Sequence, residues 1–88
     1  MGGSSSKTIR CTANQWTNVL WYAGIFWSKS WTVNVGDVSV QYRRYGAGVP
    51  PYWQGSFSGS TKFTAYPWDV YIRVDIKPPR DINVVVTA

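Results

Sequence analysis

Two short runs of alternating apolar and polar residues flank Gly36 and Asp37, and the alternation changes phase between them. In residues 31–35 the odd-numbered positions are apolar, whereas in residues 38–42 the even-numbered positions are apolar. A two-residue hairpin turn produces such a change, and a type II′ turn has positive φ at its first position, where Gly36 would lie. A bulge, or a strand that passes between two sheets at Gly36, would change the phase equally well. All three interpretations make both runs β-strands.

As a hairpin, this segment would place its apolar side chains in pairs on one face. The predicted pairs are Val35 with Val38, Val33 with Val40, and Trp31 with Tyr42. A second hairpin is predicted from residues 52–57 and 62–66, with Phe57 opposite Phe63. The glycines and prolines of residues 46–51 are expected to form the loop between the two hairpins.

Alternation elsewhere predicts further strands. Residues 8–13, 68–77 and 82–87 alternate in the way expected of strands with one face against a core. About seven to eight short strands with no convincing helix predict an all-β fold. The expected architecture is a small antiparallel β-sandwich, Ig-like or jelly-roll-like, and a small β-barrel is the alternative.

Residues 68–77 show the clearest alternation in the chain. The predicted inward set is Trp68, Val70, Ile72, Val74 and Ile76. The predicted outward set is Asp69, Tyr71, Arg73, Asp75 and Lys77, which we interpret as a solvated charged face.

Residues 19–27 are apolar at odd and even positions alike. Their aromatic and β-branched content, with Gly24 inside the run, favours a strand over a buried helix. Only one face of a strand in a small sandwich reaches the core, so the other face would be covered by a loop, a partner or a membrane, or be exposed. The run is therefore the strongest sequence indication of an interaction surface.

The composition indicates one small basic domain that binds rather than catalyses. The chain has 88 residues, a net charge of +5, no His and a single cysteine, Cys11. The sequence also contains no Glu, and its four Asp residues are scattered. These residues cannot assemble a Ser-His-Asp triad or a zinc site, so we expect no enzymatic activity, no metal and no cofactor. A lone cysteine of this kind is expected to be buried and inert.

The first seven residues are set apart from the predicted domain of residues 8–88. Met1-Gly2-Gly3-Ser4-Ser5-Ser6 matches the N-myristoylation pattern M-G-x-x-x-[ST], with Gly2 as the acceptor, and Lys7 follows it. The same Gly-Ser composition is also typical of an expression linker. Either interpretation predicts a flexible tail.

Three binding functions remain open. The first is a cytoplasmic, membrane-surface domain, a myristoylated lipoprotein that binds anionic lipid. The second is a lectin-like carbohydrate-binding domain, and the third is a structural subunit that assembles through residues 19–27 or strand edges. We do not expect nucleic acid to be a partner, because the basic residues form no stripe.

The candidate residues follow from these functions. The lipidation site is Gly2, and the candidates for binding membranes or anions are Lys7, Arg10, Arg43 and Arg44. The candidate aromatic binding surface is Trp16, Trp21, Trp27, Tyr52 and Trp53, with Trp31 as a further sugar-stacking ring. No apolar run is long enough for a transmembrane helix, and no signal peptide is evident.

Overall fold

The computed structural model describes residues 5–47 and 49–88, except for the side chains of residues 49–52. Within these residues it has eight strands and one short 3₁₀ helix, Pro67–Asp69. The strands are β1 (Ser6–Cys11), β2 (Thr17–Ala23), β3 (Lys29–Asn34), β4 (Val40–Gly46), β5 (Val49–Phe57), β6 (Ser60–Ala65), β7 (Tyr71–Lys77) and β8 (Ile82–Thr87).

The strands form two four-stranded antiparallel sheets that pack as a sandwich. Sheet 1 has the order β1-β8-β3-β6, and sheet 2 has the order β2-β7-β4-β5. The predicted β-sandwich is thereby confirmed, and the sheets do not close into a barrel. The core lies between the sheets, where Val33 and Val84 of sheet 1 and Ile72 and Val74 of sheet 2 are fully buried. Burying each such side chain contributes roughly 1.5–3 kcal/mol of transfer free energy.

Gly36 lies where the chain crosses from one sheet to the other, so the predicted hairpin there is wrong. Strand β3 pairs with β6 and β8, whereas β4 pairs with β5 and β7. The alternative of a strand that passes between sheets is the correct one. The phase changes because the core lies on opposite sides of the chain before and after the crossing. Gly36 has a φ of 78°, and its carbonyl accepts a hydrogen bond of 2.7 Å from the Gly59 amide.

We expect Gly36→Ala to lower the free energy of unfolding by about 1 kcal/mol. A Cβ at this position would meet no atom within 4 Å, so the cost comes from the left-handed backbone rather than from a clash. Urea denaturation followed by tryptophan fluorescence measures the change. Ser39→Ala, an exposed substitution in the same connection, is the matched control. Equal stability of the Gly36→Ala variant and the wild type would contradict this account of the crossing.

The second predicted hairpin is also wrong, because β5 and β6 belong to different sheets. Strand β5 pairs with β4, and β6 pairs with β3. Phe57 and Phe63 nevertheless meet, with ring centroids 6.2 Å apart, and Tyr42 contacts both rings. These rings meet across the core rather than along one sheet. The actual hairpin joins β4 to β5, and the strand resumes at Val49 inside the segment predicted to be a loop.

The apolar run of residues 19–27 does not form one strand. A bulge between Asn18 and Leu20 lets both Val19 and Leu20 point into the core, and it turns Trp21 outward. Strand β2 ends at Ala23, and the remaining residues form the β2–β3 loop. The apolar residues at both odd and even positions of this run are therefore explained by a bulge followed by a loop.

The strand predicted for residues 68–77 begins three residues later. Trp68 lies in the 3₁₀ helix and Val70 follows it, and both side chains are exposed rather than inward. The alternation is confirmed from Tyr71 onward, with Ile72, Val74 and Ile76 buried. The predicted solvated charged face is wrong for Asp69 and Asp75, because both are buried beside arginines.

Candidate functional site

The β2–β3 loop and the β6–β7 loop lie together at one end of the sandwich. Ala23 at the end of β2 pairs with Tyr71 at the start of β7, and Lys29 at the start of β3 pairs with Ala65 at the end of β6. The β4–β5 turn joins them, because the Ala47 amide donates a 2.9 Å hydrogen bond to the Asp69 carbonyl. We call this end of the sandwich the aromatic end.

The aromatic end presents large apolar side chains to solvent. Phe26 is 79% exposed, Trp27 is 78% exposed and Trp68 is 73% exposed. Tyr66 stacks on Trp68 in parallel, with ring centroids 4.8 Å apart and an angle of 2° between the planes. Within the β2–β3 loop, Ile25 alone is buried, so it attaches the loop to the core while its two neighbours point outward. Exposed apolar groups gathered in this way are typical of interaction surfaces, so the aromatic end is a candidate site.

Asp69 holds the β6–β7 loop in place. Its Oδ2 accepts a hydrogen bond of 2.8 Å from the Tyr66 amide and lies 3.5 Å from the Arg44 guanidinium. Arg44 also donates a hydrogen bond of 2.9 Å to the Thr64 carbonyl. These contacts fix the short 3₁₀ helix, with Pro67 at its first turn. Arg44, predicted to bind anions, therefore has a structural role here.

Val70 completes the loop in an unfavourable conformation. Its φ is 67°, in the left-handed region that a β-branched residue rarely adopts, and its side chain is 59% exposed. Such backbone strain is concentrated at functional sites. The conformation directs an apolar side chain outward beside Trp68.

The charges near the aromatic end are mainly positive. The described residues of the β2–β3 loop, the β4–β5 turn and the β6–β7 loop include one charged residue, Asp69, and its carboxylate is buried beside Arg44. Lys29 begins β3, with its Nζ 4.8 Å from the ring centre of Tyr22. Lys7 is exposed near the start of β1. Ser5, whose carbonyl accepts a 2.9 Å hydrogen bond from the Ala88 amide, lies in the same half of the sandwich.

A second surface covers the outer face of sheet 2, where Arg43 and Arg73 lie on either side of Asp75. Arg73 donates to both carboxylate oxygens of Asp75, at 3.2 and 2.9 Å, and Arg43 lies 3.7 Å away. Asn18 donates a further hydrogen bond of 3.2 Å to the carboxylate. We call this surface the cationic face.

Aromatic rings pack against the cations of this face. The Arg43 guanidinium lies 3.8 Å from the ring centre of Trp16, and the Lys77 ammonium lies 5.9 Å from it. Arg73 lies 4.7 Å from the ring centre of Tyr45. A cleft of about 350 Å³ adjoins Trp16, and its other walls are Gln41, Tyr42, Gln54, Gly55 and Ser56.

The structure distributes the predicted site residues over several surfaces. Trp27 lies at the aromatic end, whereas Trp16 and Arg43 lie together on the cationic face. Trp21 is exposed on the outer face of sheet 2 against Tyr71, at a ring distance of 5.4 Å. Gly2 and the side chain of Tyr52 lie outside the described residues.

The remaining predicted residues are separate from both surfaces. Arg10 is exposed on β1 and pairs with Asp81 at 3.7 Å. Trp53 is exposed on β5, next to Arg44 of β4 in the register. Trp31 is buried in the core against Tyr22, so the prediction that it stacks on sugars is wrong.

Sequence reasoning missed Phe26, Tyr66, Trp68 and Val70 as surface residues. The alternation of residues 68–77 placed Trp68 and Val70 inward because it predicted a strand that begins at Trp68, directly after Pro67, whereas β7 begins at Tyr71. A proline at the first turn of a short helix was the available signal, since Pro is favoured at that position.

Cys11 is buried at the end of β1. Burial raises the pKa of the Cys11 thiol, and a hydrogen bond with the Thr17 side chain offsets part of that increase. The unfolded chain therefore loses this proton at lower pH than the native protein does. The contribution of Cys11 to stability is complete below about pH 8.5 and declines as the pH rises through the folded pKa.

We expect the wild type to lose more stability than Cys11→Ala when the pH is raised from about 7.5 to about 10. Urea denaturation at both pH values measures the change in the free energy of unfolding of each protein. Subtracting the change in the variant from that in the wild type removes the contributions of the other ionisable residues, which are common to both. An equal loss of stability in both proteins would contradict a raised pKa for the buried Cys11 thiol.

Comparison with family models, curated protein sequences and solved structures finds no match to this chain. In the described residues, no helix is long and apolar enough to cross a membrane. No group of three or more His, Cys, Asp or Glu residues is placed to hold a metal within that part of the chain.

Proposed function

We propose that this protein is a membrane-surface binding domain that inserts its aromatic end into the lipid interface. The observation that carries the proposal is the exposure of Phe26, Trp27 and Trp68 on two loops at one end. Tryptophan rings favour the membrane interface, because their apolar body and polar N–H match its two environments. A rigid sandwich can present these rings together, so insertion would require little rearrangement.

The absence of exposed carboxylates from the described residues of the three connections at the aromatic end supports this assignment. Asp69 is buried, and its partner Arg44 lies on β4 behind the loop. An exposed charged group at the aromatic end would oppose insertion, because moving a charge out of water is costly. Val70, whose backbone is strained, adds a further exposed apolar side chain to the aromatic end.

Anionic lipid is the proposed membrane component. Lys29 begins β3 at the aromatic end, whereas Lys7 lies about midway along sheet 1, level with Val33. A Lys near an anionic surface contributes about 1 kcal/mol of attraction. Gly2 lies three residues before Ser5 in the sequence, and an acyl group on Gly2 would add a second anchor. A single myristoyl chain binds only marginally, so the two anchors would act together.

Sedimentation with vesicles tests the proposal. Unacylated protein is mixed with vesicles of phosphatidylcholine alone and with vesicles that also contain phosphatidylserine. We expect binding to both, stronger binding to the anionic vesicles, and loss of that difference at high salt. Failure to bind either type of vesicle would contradict insertion of the aromatic end. A preference for anionic vesicles that persists at high salt would contradict the role of Lys7 and Lys29.

A further inference from the structure

The cationic face presents positive charge to solvent because its one described carboxylate is covered. The side chain of Asp75 is 2% exposed, whereas that of Arg73 is 46% exposed. Lys77 adds a further positive charge at the end of β7. The described part of the face therefore attracts anions, and Asp75 serves to hold Arg43 and Arg73 in position.

The cleft on this face lies far from the proposed membrane contact. Trp16 lies beside Lys77, at the opposite end of β7 from Tyr71. Six residues along a strand span roughly 20 Å. A ligand in the cleft would therefore remain in solution while the aromatic end is inserted.

The lining of the cleft combines an indole with groups that both donate and accept hydrogen bonds. Gln41, Gln54 and Ser56 are exposed side chains of β4 and β5 that border it beside Trp16. Amides and hydroxyls can bond to sugar hydroxyls in either direction. The indole offers an apolar surface, and Arg43 and Lys77 provide charge at its ring.

We propose that this cleft binds an acidic oligosaccharide that contains uronic acid units. The sugar ring contacts Trp16, its hydroxyls bond to Gln41 and Gln54, and its carboxylate lies near Lys77 and Arg43. Charge-assisted hydrogen bonds to a carboxylate are roughly twice as strong as neutral ones, so they select acidic over neutral sugars.

The arrangement of the rings favours this ligand over single-stranded nucleic acid. Proteins that bind single strands stack successive bases on rings along a basic groove. Here Arg43 lies over Trp16, Arg73 lies over Tyr45, and Trp21 contacts Tyr71. Away from the cleft the rings of this face are engaged with protein groups, so the cleft offers a single indole beside amides and hydroxyls rather than a row of rings.

Titration calorimetry on the full chain tests the inference. The probes are tetramers of galacturonate and of hyaluronan, a neutral tetramer of glucose, and a short oligothymidylate. We expect both uronate tetramers to bind at least about tenfold more tightly than the other two probes. Binding of neither uronate tetramer, equal affinity for the neutral sugar, or tighter binding of the oligothymidylate would each overturn it.

Two variants locate the site without disturbing the core. Lys77→Gln and Gln54→Ala are each expected to weaken uronate binding about tenfold. Lys62→Gln is the matched control, because Lys62 is an exposed lysine on the outer side of sheet 1. Uronate affinity that falls equally in the control variant would overturn the assignment to the cleft.

Discussion

Replacing Phe26, Trp27 and Trp68 with serine is expected to reduce vesicle affinity about 1000-fold. If each side chain moves roughly 60 Å² of apolar surface out of water, each contributes about 1.5 kcal/mol. That free energy corresponds to about tenfold in affinity per side chain. Sedimentation over a series of lipid concentrations measures the change.

The matched control for this variant is Val85→Ser. Val85 is also an exposed apolar residue, but it lies on β8 and is paired with Asn34, away from the aromatic end. We expect the Val85→Ser variant to bind vesicles as tightly as the wild type does. Val70→Ser, which changes an exposed residue of the aromatic end, should weaken binding. Circular dichroism of each variant checks the fold. Wild-type affinity in the folded triple variant would rule out insertion through this end.

Asp75→Ala is expected to lower the free energy of unfolding by about 3 kcal/mol. The carboxylate is buried and interacts with Arg43, Arg73 and Asn18. Removing it leaves two neighbouring guanidinium groups without their shared counter-charge, and breaking a buried ion pair in this way is strongly destabilising. Urea denaturation measures the effect as a lower midpoint with an unchanged slope.

Asp37→Ala provides the comparison for Asp75. Asp37 also pairs with an arginine, at 3.4 Å from Arg80, but its side chain is 96% exposed. Exposed ion pairs contribute little, so we expect no measurable change in the midpoint. Similar midpoints for the Asp75 and Asp37 variants would contradict the structural role of Asp75.

Local alternation predicted which residues face the core, but not which sheet each strand joins. Ile72, Val74 and Val84 were correctly placed inward because period-two patterning depends only on the strand and the core. Pairing depends on contacts between distant segments. The same alternation therefore fits a hairpin at Gly36 and a crossing between sheets, and only the structure distinguishes them.

The candidate site was predicted in part. Trp27 was chosen for its place in an apolar run, and its exposure follows from the end of β2 at Ala23. Trp68 was misplaced because the 3₁₀ helix interrupts the alternation. The outward direction of Asp75 was correct, but its burial depends on Arg43 and Arg73, which reach it from β4 and from its own strand.

The measurement that tests the central claim most directly is quenching of tryptophan fluorescence by lipids with brominated acyl chains. Trp27→Phe/Trp68→Phe keeps apolar rings at the aromatic end, so we expect this variant to bind vesicles but to lose most of the quenching. Trp16→Phe, which changes the opposite end, should be quenched as strongly as the wild type. Undiminished quenching in the first variant, or loss of quenching in the second, would contradict insertion of the aromatic end.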